Sequence, residues 1–359
     1  MSHPLMRRVT GARAVLEKAL LRGVLALPDG VQRRLAGAPV RLDGQQLATE
    51  TQLTLRLQRL ARVPGAETMP VPEGRRAMLH HTRLVAGRQP IGAVRDLRVG
   101  DRPARLYTPS VAEEGAQQQP LPLLVFFHGG GFMYGDLDSH DAPCRVLAER
   151  AGVRVLAVTY RLAPESPFPA AYDDALAAYA WAVEHAESLG CDPTRMAVGG
   201  DSAGGNLAAG VALEAARRGW PLAFQLLVYP MTDAEHDTRS YTMFDEGFYL
   251  TRDFMRLATD SYNPPGQDLR DPRLSPFHAE LPAGLAPAYV ATAGFDPLRD
   301  EGEAYARRLS EAGVDVTLQR FPDQIHGFLQ IVGVGRRSRA AVAEIADTLR
   351  DALASTRIS

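Results

Sequence analysis

Six short segments that read as strands, separated by stretches of helical spacing, limit the folds open to this chain more than any other feature. They are Leu123–Phe127, Val155–Thr159, Met196–Val198, Phe224–Tyr229, Tyr289–Thr292 and Val316–Phe321. Leu123–Phe127 and Val155–Thr159 are continuous apolar runs, as strands buried on both faces should be. Between and after them, 172–189, 206–218, 301–312 and 339–354 read as helices. Strands alternating with helices predict an α/β fold with a mostly parallel sheet covered on both sides. Upstream, Val94–Val99 and Arg105–Tyr107 read as a strand pair around Gly100-Asp101.

Two segments leave this rhythm. Residues 233–275 are acidic and aromatic, with Phe244, Phe248, Tyr249, Phe254 and Tyr262 and no clear strand. They read as an insertion beside the sheet. The first 90 residues read as helical and connecting material. Residues 14–27 carry Leu16, Leu20, Val24 and Leu27 at helical spacing, which predicts an amphipathic helix packed on the protein. Leu53, Leu57 and Leu60 give the apolar face of a second helix, and Pro64-Gly65 and Pro70 to Gly74 break the chain.

The 359 residues suit one large α/β domain with an attached part. Forty basic against 42 acidic residues leave a net charge of −2, which gives nucleic acid nothing to bind. No stretch approaches the roughly 18 apolar residues of a spanning helix. Met6-Arg7-Arg8 ahead of an apolar stretch faintly resembles a secretion signal, but Glu17, Lys18 and Arg22 interrupt it. Cys144 and Cys191 form no pattern and are expected to be reduced thiols. The expected compartment is the cytoplasm.

The chemistry-bearing signal begins where Met196-Ala197-Val198-Gly199 runs into Gly200-Asp201-Ser202-Ala203-Gly204. This is G-x-S-x-G between a strand and a helix, the nucleophile elbow of α/β-hydrolases. Small residues flank the serine because the strained turn brings strand and helix backbones close together. Upstream, the run 123–127 ends in His128-Gly129-Gly130-Gly131-Phe132. Glycines let backbone N–H groups approach a carbonyl oxygen that becomes negative during hydrolysis. The expected oxyanion hole is Gly130, Gly131 and Ala203. His128 precedes the nucleophile and is expected to hold the loop.

In this fold an acid and then a histidine follow the nucleophile in chain order. Only His236, His278 and His326 lie beyond Ser202, and only His326 follows the last expected strand. Asp296 is the first carboxylate past the preceding strand. Asp300 is its runner-up, better read as a helix N-terminal carboxylate. The expected catalytic residues are therefore Ser202, Asp296 and His326, with neither metal nor cofactor.

These motifs, together with Tyr160-Arg161-Leu162-Ala163-Pro164-Glu165, Asp296-Pro297-Leu298-Arg299-Asp300-Glu301 and His326-Gly327-Phe328, resemble the bacterial hormone-sensitive-lipase family of esterases, in the subgroup with Asp before the serine. The resemblance covers about 90–355. It implies an eight-stranded core (91–232 and 276–359) under a helical cap (1–90 and 233–275). It also implies short- and medium-chain acyl esters as substrates, no metal, and often a dimer. The role of residues 1–45 stays open. A pocket between cap and sheet would use Phe132, Tyr134, Phe244 and Phe248. Three other readings are weaker. A binding-only receptor on this fold lacks the histidine, a peptidase would need a further domain, and an interfacial lipase would need a long apolar lid. Lactonase or deacetylase chemistry on one metabolite stays open.

Overall fold

The computed structural model describes residues 16–112 and 120–355. Residues 14–15 of the first expected helix, and the basic 6–8 segment, lie outside the described residues. The chain opens with helix α1 (16–25). Helix α2 (Asp29–Ala36) follows, then the hairpin β1 (Arg41–Leu42) and β2 (Gln45–Gln46), then α3 (Thr49–Leu60) and α4 (Val71–Ala86). The main sheet begins with β3 (Ala93–Val99) and β4 (Arg102–Thr108), and continues with β5 (Leu121–Phe127), α5 (Asp141–Ala151) and β6 (Arg154–Val158). Next come α6 (Ala170–His185), β7 (Cys191–Asp201), α7 (Ala203–Arg218) and β8 (Phe224–Val228). Short helices α8 (Arg239–Met243) and α9 (Arg252–Tyr262) interrupt the alternation. It resumes with β9 (Ala288–Phe295), α10 (Arg299–Glu311), β10 (Val316–Ile325) and α11 (Arg337–Ser355).

The eight strands from β3 onward form one sheet in the order β10-β9-β8-β7-β5-β6-β4-β3. Pairs from β10 through β6 are parallel, while β4 pairs antiparallel with both β3 and β6. Successive residues of β5 face opposite sides. Leu123, Val125 and Phe127 join Leu207 and Val211 of α7 in one core layer. Leu124 and Phe126 join Leu147 of α5 and Val342 and Ile345 of α11 in the other. Each such fully buried side chain stabilises the fold by roughly 1.5–3 kcal/mol, and both layers need the apolar runs the sequence contains. Cys144 and Cys191 are free and buried, with burial pushing both thiols up, Cys191 to about 11.

The N-terminal part departs from expectation in three ways. The α1 stripe does not pack as a unit: Leu16 and Leu20 are each 60% exposed. The helix instead turns its polar edge to α4, where Glu17 meets His80 at 3.0 Å and the Lys18 ammonium donates to the Arg83 carbonyl at 3.2 Å. In α3, Leu53 and Leu55 are buried while Leu60 is 69% exposed. Pro72 and Gly74 do not break the chain. Pro72 sits in the first turn of α4, where a missing N–H costs nothing. At Gly74 a Cβ would meet the Ala66 carbonyl oxygen at 2.7 Å, so the glycine lets α4 press on the preceding segment.

Candidate active site

Three strand ends and one loop supply the site. Ser202 directly follows β7 and caps the N-terminus of α7 at φ 57° and ψ −119°. A non-glycine residue at positive φ is strained, and the surroundings hold it there. The Ser202 N–H donates to Val228 O at 2.9 Å, and its carbonyl accepts from Asn206 at 3.0 Å and Met231 at 3.2 Å. A Cβ at Gly200 would lie 2.5 Å from the Phe127 carbonyl oxygen, and one at Gly204 would lie 2.7 Å from the His128 oxygen. The small residues of the motif are therefore a packing requirement.

Asp296 follows β9 and His326 follows β10, so both lie at the same edge of the sheet as the end of β7, from which β8 separates them. The His326 Nε2 is 2.9 Å from Ser202 Oγ, and its Nδ1 is 2.8 Å from Asp296 Oδ2. The arrangement fits a proton on Nδ1 facing the carboxylate, leaving Nε2 to accept from the serine hydroxyl. Asp296 is fully buried, and its other oxygen accepts the Leu298 N–H at 2.9 Å. The Tyr229 ring covers the imidazole at a centroid distance of 4.6 Å. Asp300 lies apart from this relay. Its carboxylate accepts from the Ser240 N–H at 2.9 Å and pairs with Arg299 at 2.8 Å, in the first turn of α10.

The glycine loop folds back under the serine. Gly130 and Gly131 sit at φ 123° and 60°. The Gly130 carbonyl accepts from Met133 and Tyr134, while the N–H groups of Gly130, Gly131 and Ala203 meet no backbone acceptor among the described residues. A Cβ on Gly131 would lie 2.9 Å from Ala258 Cβ. Asp201 fastens the loop, since its Oδ1 accepts the Gly129 N–H at 2.9 Å. Burial opposes the charge on Asp201, but His140 and the Gly129 N–H hold its carboxyl below the usual range. His140 Nε2 stands 3.2 Å from Asp201 Oδ1, so this second histidine–carboxylate pair braces the turn, whereas His326 is the one bonded to Ser202 Oγ. His128 is buried and pushed down to about 4 by burial and then by His140. Neutral, it donates through Nδ1 to Gly129 O at 2.9 Å and stacks on Tyr160 at 4.4 Å.

A family model described as the alpha/beta hydrolase fold matches residues 124–330. The chain is 44% identical to a Mycobacterium tuberculosis protein named carboxylic ester hydrolase LipN, over 97% of this chain and 94% of that protein. It belongs to the α/β-hydrolase-fold family. Within that family it lies in the hormone-sensitive-lipase-like branch that its motifs resemble. An ethyl acetate hydrolase of Pseudomonas putida is 37% identical over 86% of this chain and 98% of its own length. Among solved structures, an ester hydrolase from the Lake Arreo metagenome, complexed with a bipyridine phosphonate derivative, superposes with a TM-score of 0.81. It is 39% identical and covers 86% of this chain and all of its own. An esterase from Pyrobaculum calidifontis gives 0.79 at 37% identity, covering 85% of this chain and 98% of its own.

In this α/β-hydrolase three cavities meet the site. A groove of about 280 Å³ runs over Ser202, His326 and the glycine loop, under Leu55, Met78 and Phe254. A cavity of about 60 Å³ lies behind His326, walled by α1, α3, α4 and residues 325–338. A third, of about 50 Å³, touches Ser202, Ala203 and Gly131 from the α9 side. Of the expected pocket residues Phe132 lines the third of these cavities, where it stacks on Tyr262 at 3.9 Å. Tyr134, Phe244 and Phe248 line none of the three. Tyr134 is fully buried beneath the Ala66 carbonyl, to which its hydroxyl donates at 3.4 Å. Phe244 and Phe248 pack on Phe295, Leu47 and Ile325 as a small separate core. Leu55, Tyr249, Leu250 and Met255, which the sequence reading left unassigned, line the cavities instead. Leu55 and Met255 lie on helices α3 and α9, Tyr249 and Leu250 in the irregular stretch before α9, so they share no spacing that marks a pocket.

Proposed function

We propose that this chain is a serine carboxylesterase acting on short- to medium-chain acyl esters. The observation that carries the reading is the unbroken hydrogen-bond line from buried Asp296 through His326 to Ser202 Oγ, at 2.8 and 2.9 Å. Ser202 is the nucleophile, His326 the base and then the acid, and Asp296 holds the tautomer and stabilises the imidazolium. The N–H groups of Gly130, Gly131 and Ala203 receive the oxyanion, each contributing about 3 kcal/mol to the transition state. Ser202 Oγ bonds to the carbonyl carbon as its proton passes to His326. The alkoxide departs with that proton, and water cleaves the acyl-enzyme by the same relay. Residues 1–90 and 233–275 act as a cap, and 91–232 with 276–359 as the catalytic domain. The names of the relatives, carboxylic ester hydrolase and ethyl acetate hydrolase, support the same reaction class.

The test is hydrolysis of p-nitrophenyl esters from acetate to palmitate by wild type and Ser202→Ala. Turnover of the shorter esters, reduced about 10⁴- to 10⁶-fold in the variant, supports the reading. Turnover that survives in Ser202→Ala removes it.

A further inference from the structure

The cavities around Ser202 are unequal, and the relay tells which half of an ester each one receives. The leaving alkoxide must take its proton from His326 Nε2, 2.9 Å from Ser202 Oγ, so the alcohol group emerges on the side where His326 forms the wall. Both the 280 Å³ groove and the 60 Å³ cavity behind it have His326 and Gly327 in their walls. The 50 Å³ cavity has neither. It touches Ser202 and two of the oxyanion residues, Gly131 and Ala203, and is closed by Met255, Ala258 and Leu298. The groove also touches Ser202, Gly130 and Gly131, so it is the absence of His326 and Gly327 that marks the small cavity as the acyl side.

Size then separates the two halves of the substrate. A cavity needs roughly 10–15 Å³ for each water-sized group, so 50 Å³ holds about four such groups. The alcohol side offers more than five times that space in the groove alone. It continues inward past Leu55, Thr82 and Gly327, which the groove and the inner cavity share. The inner wall is apolar: Leu25 of α1, Val85 of α4, Ile331 and Val334. The segment before residue 45 thus contributes to the alcohol side through Leu25.

We propose that the preferred substrates are esters of short acids, up to about four carbons, with bulky apolar alcohols, and that α1 completes the alcohol site. This rests on the esterase reading and assigns its two subsites.

The experiment compares isomers. Hexyl acetate and ethyl hexanoate contain the same atoms, with the long chain on opposite sides of the ester. Both are assayed below their solubility limits by pH-stat. One methylene too many in an apolar pocket typically costs tenfold or more, so kcat/KM for hexyl acetate should exceed that for ethyl hexanoate by at least about tenfold. Met255→Ala, which widens the small cavity, should narrow that ratio by several-fold. Leu25→Trp, which fills the inner cavity, should lower kcat/KM for hexyl acetate by more than for ethyl acetate. Circular dichroism checks that both variants are folded. Equal rates, or preference for ethyl hexanoate, would overturn the assignment of sides while leaving the esterase reading intact. Turnover of neither ester would remove both.

Discussion

The floor and the roof of the groove are held by different means. The floor is backbone: a serine at positive φ, glycines that admit no Cβ, and a carboxylate fastened to a loop N–H. The roof is side chain. Helix α4 is anchored by Arg75, which donates to the Met133 and Ala163 carbonyls at 2.8 and 2.9 Å and pairs with Glu165 at 2.6 Å. The insertion meets the N-terminal segment where the Thr251 hydroxyl donates to Glu67 at 3.1 Å. Backbone geometry tolerates few residue types, whereas partly exposed polar pairs are individually worth about 0–1 kcal/mol. A floor of this kind should be brittle to substitution and a roof of this kind forgiving.

The largest expected effect breaks the relay. His326→Ala should lower kcat by about 10⁴–10⁶ with little change in KM, read by steady-state kinetics. A KM-dominated loss would transfer His326 from chemistry to binding. Next is the turn itself. Gly200→Val puts a side chain into the Phe127 carbonyl and should cost more than about 4 kcal/mol, read as loss of a cooperative urea transition. If the variant unfolds like wild type, the floor is not backbone-limited. Gly131→Ala should leave the fold in place and reduce kcat by about 10²–10³, because its φ of 60° and its clash with Ala258 displace an N–H donor.

The buried loop histidine gives a pH signature. His128 is pushed from its ordinary 6.5 down to about 4, so between those values the unfolded chain binds more protons than the folded one. Stability is then full above about pH 6.5 and falls as pH drops towards 4, by about 3 kcal/mol over that range. Between pH 7.5 and 5 the urea midpoint of wild type should fall further than that of His128→Gln. Parallel pH slopes would mean that the loop carries no such charge penalty. Smallest is the roof. Thr251→Ala removes an N-cap to Phe254 and the bond to Glu67, and should cost about 1 kcal/mol. Lys18→Ala should fall within about 0.5 kcal/mol. A thermal shift above several degrees in Lys18→Ala would erase the contrast with the floor.

The same contrast explains what could be read from the chain. Ser202, Asp296 and His326 were each indicated by a strand end and a chain order, and the three side chains meet. The glycines around them were indicated because no other residue fits. Aromatic content in the insertion was a poorer guide. Phe244 and Phe248 were expected to face the substrate, yet they form a satellite core with Phe295, at centroid distances of 5.6 and 5.3 Å from it. Nothing local distinguishes an aromatic that lines a void from one that fills it. Pro72 and Gly74 suggested a break, because their compatibility with a first helical turn depends on what lies against it. In α1 the stripe Leu16–Leu20 obeyed helical spacing, but the neighbouring edge with Glu17 and Lys18 made the contact.

Asp201 gives the site a mechanical property. One carboxylate belongs to the turn that carries Ser202 and also grips Gly129, the first glycine of the loop that holds Gly130 and Gly131, 2.9 Å away. The turn and the loop are therefore joined directly, side chain to backbone. The spacing between Ser202 and the glycine loop is thereby set in part by one side chain that belongs to neither group of N–H donors.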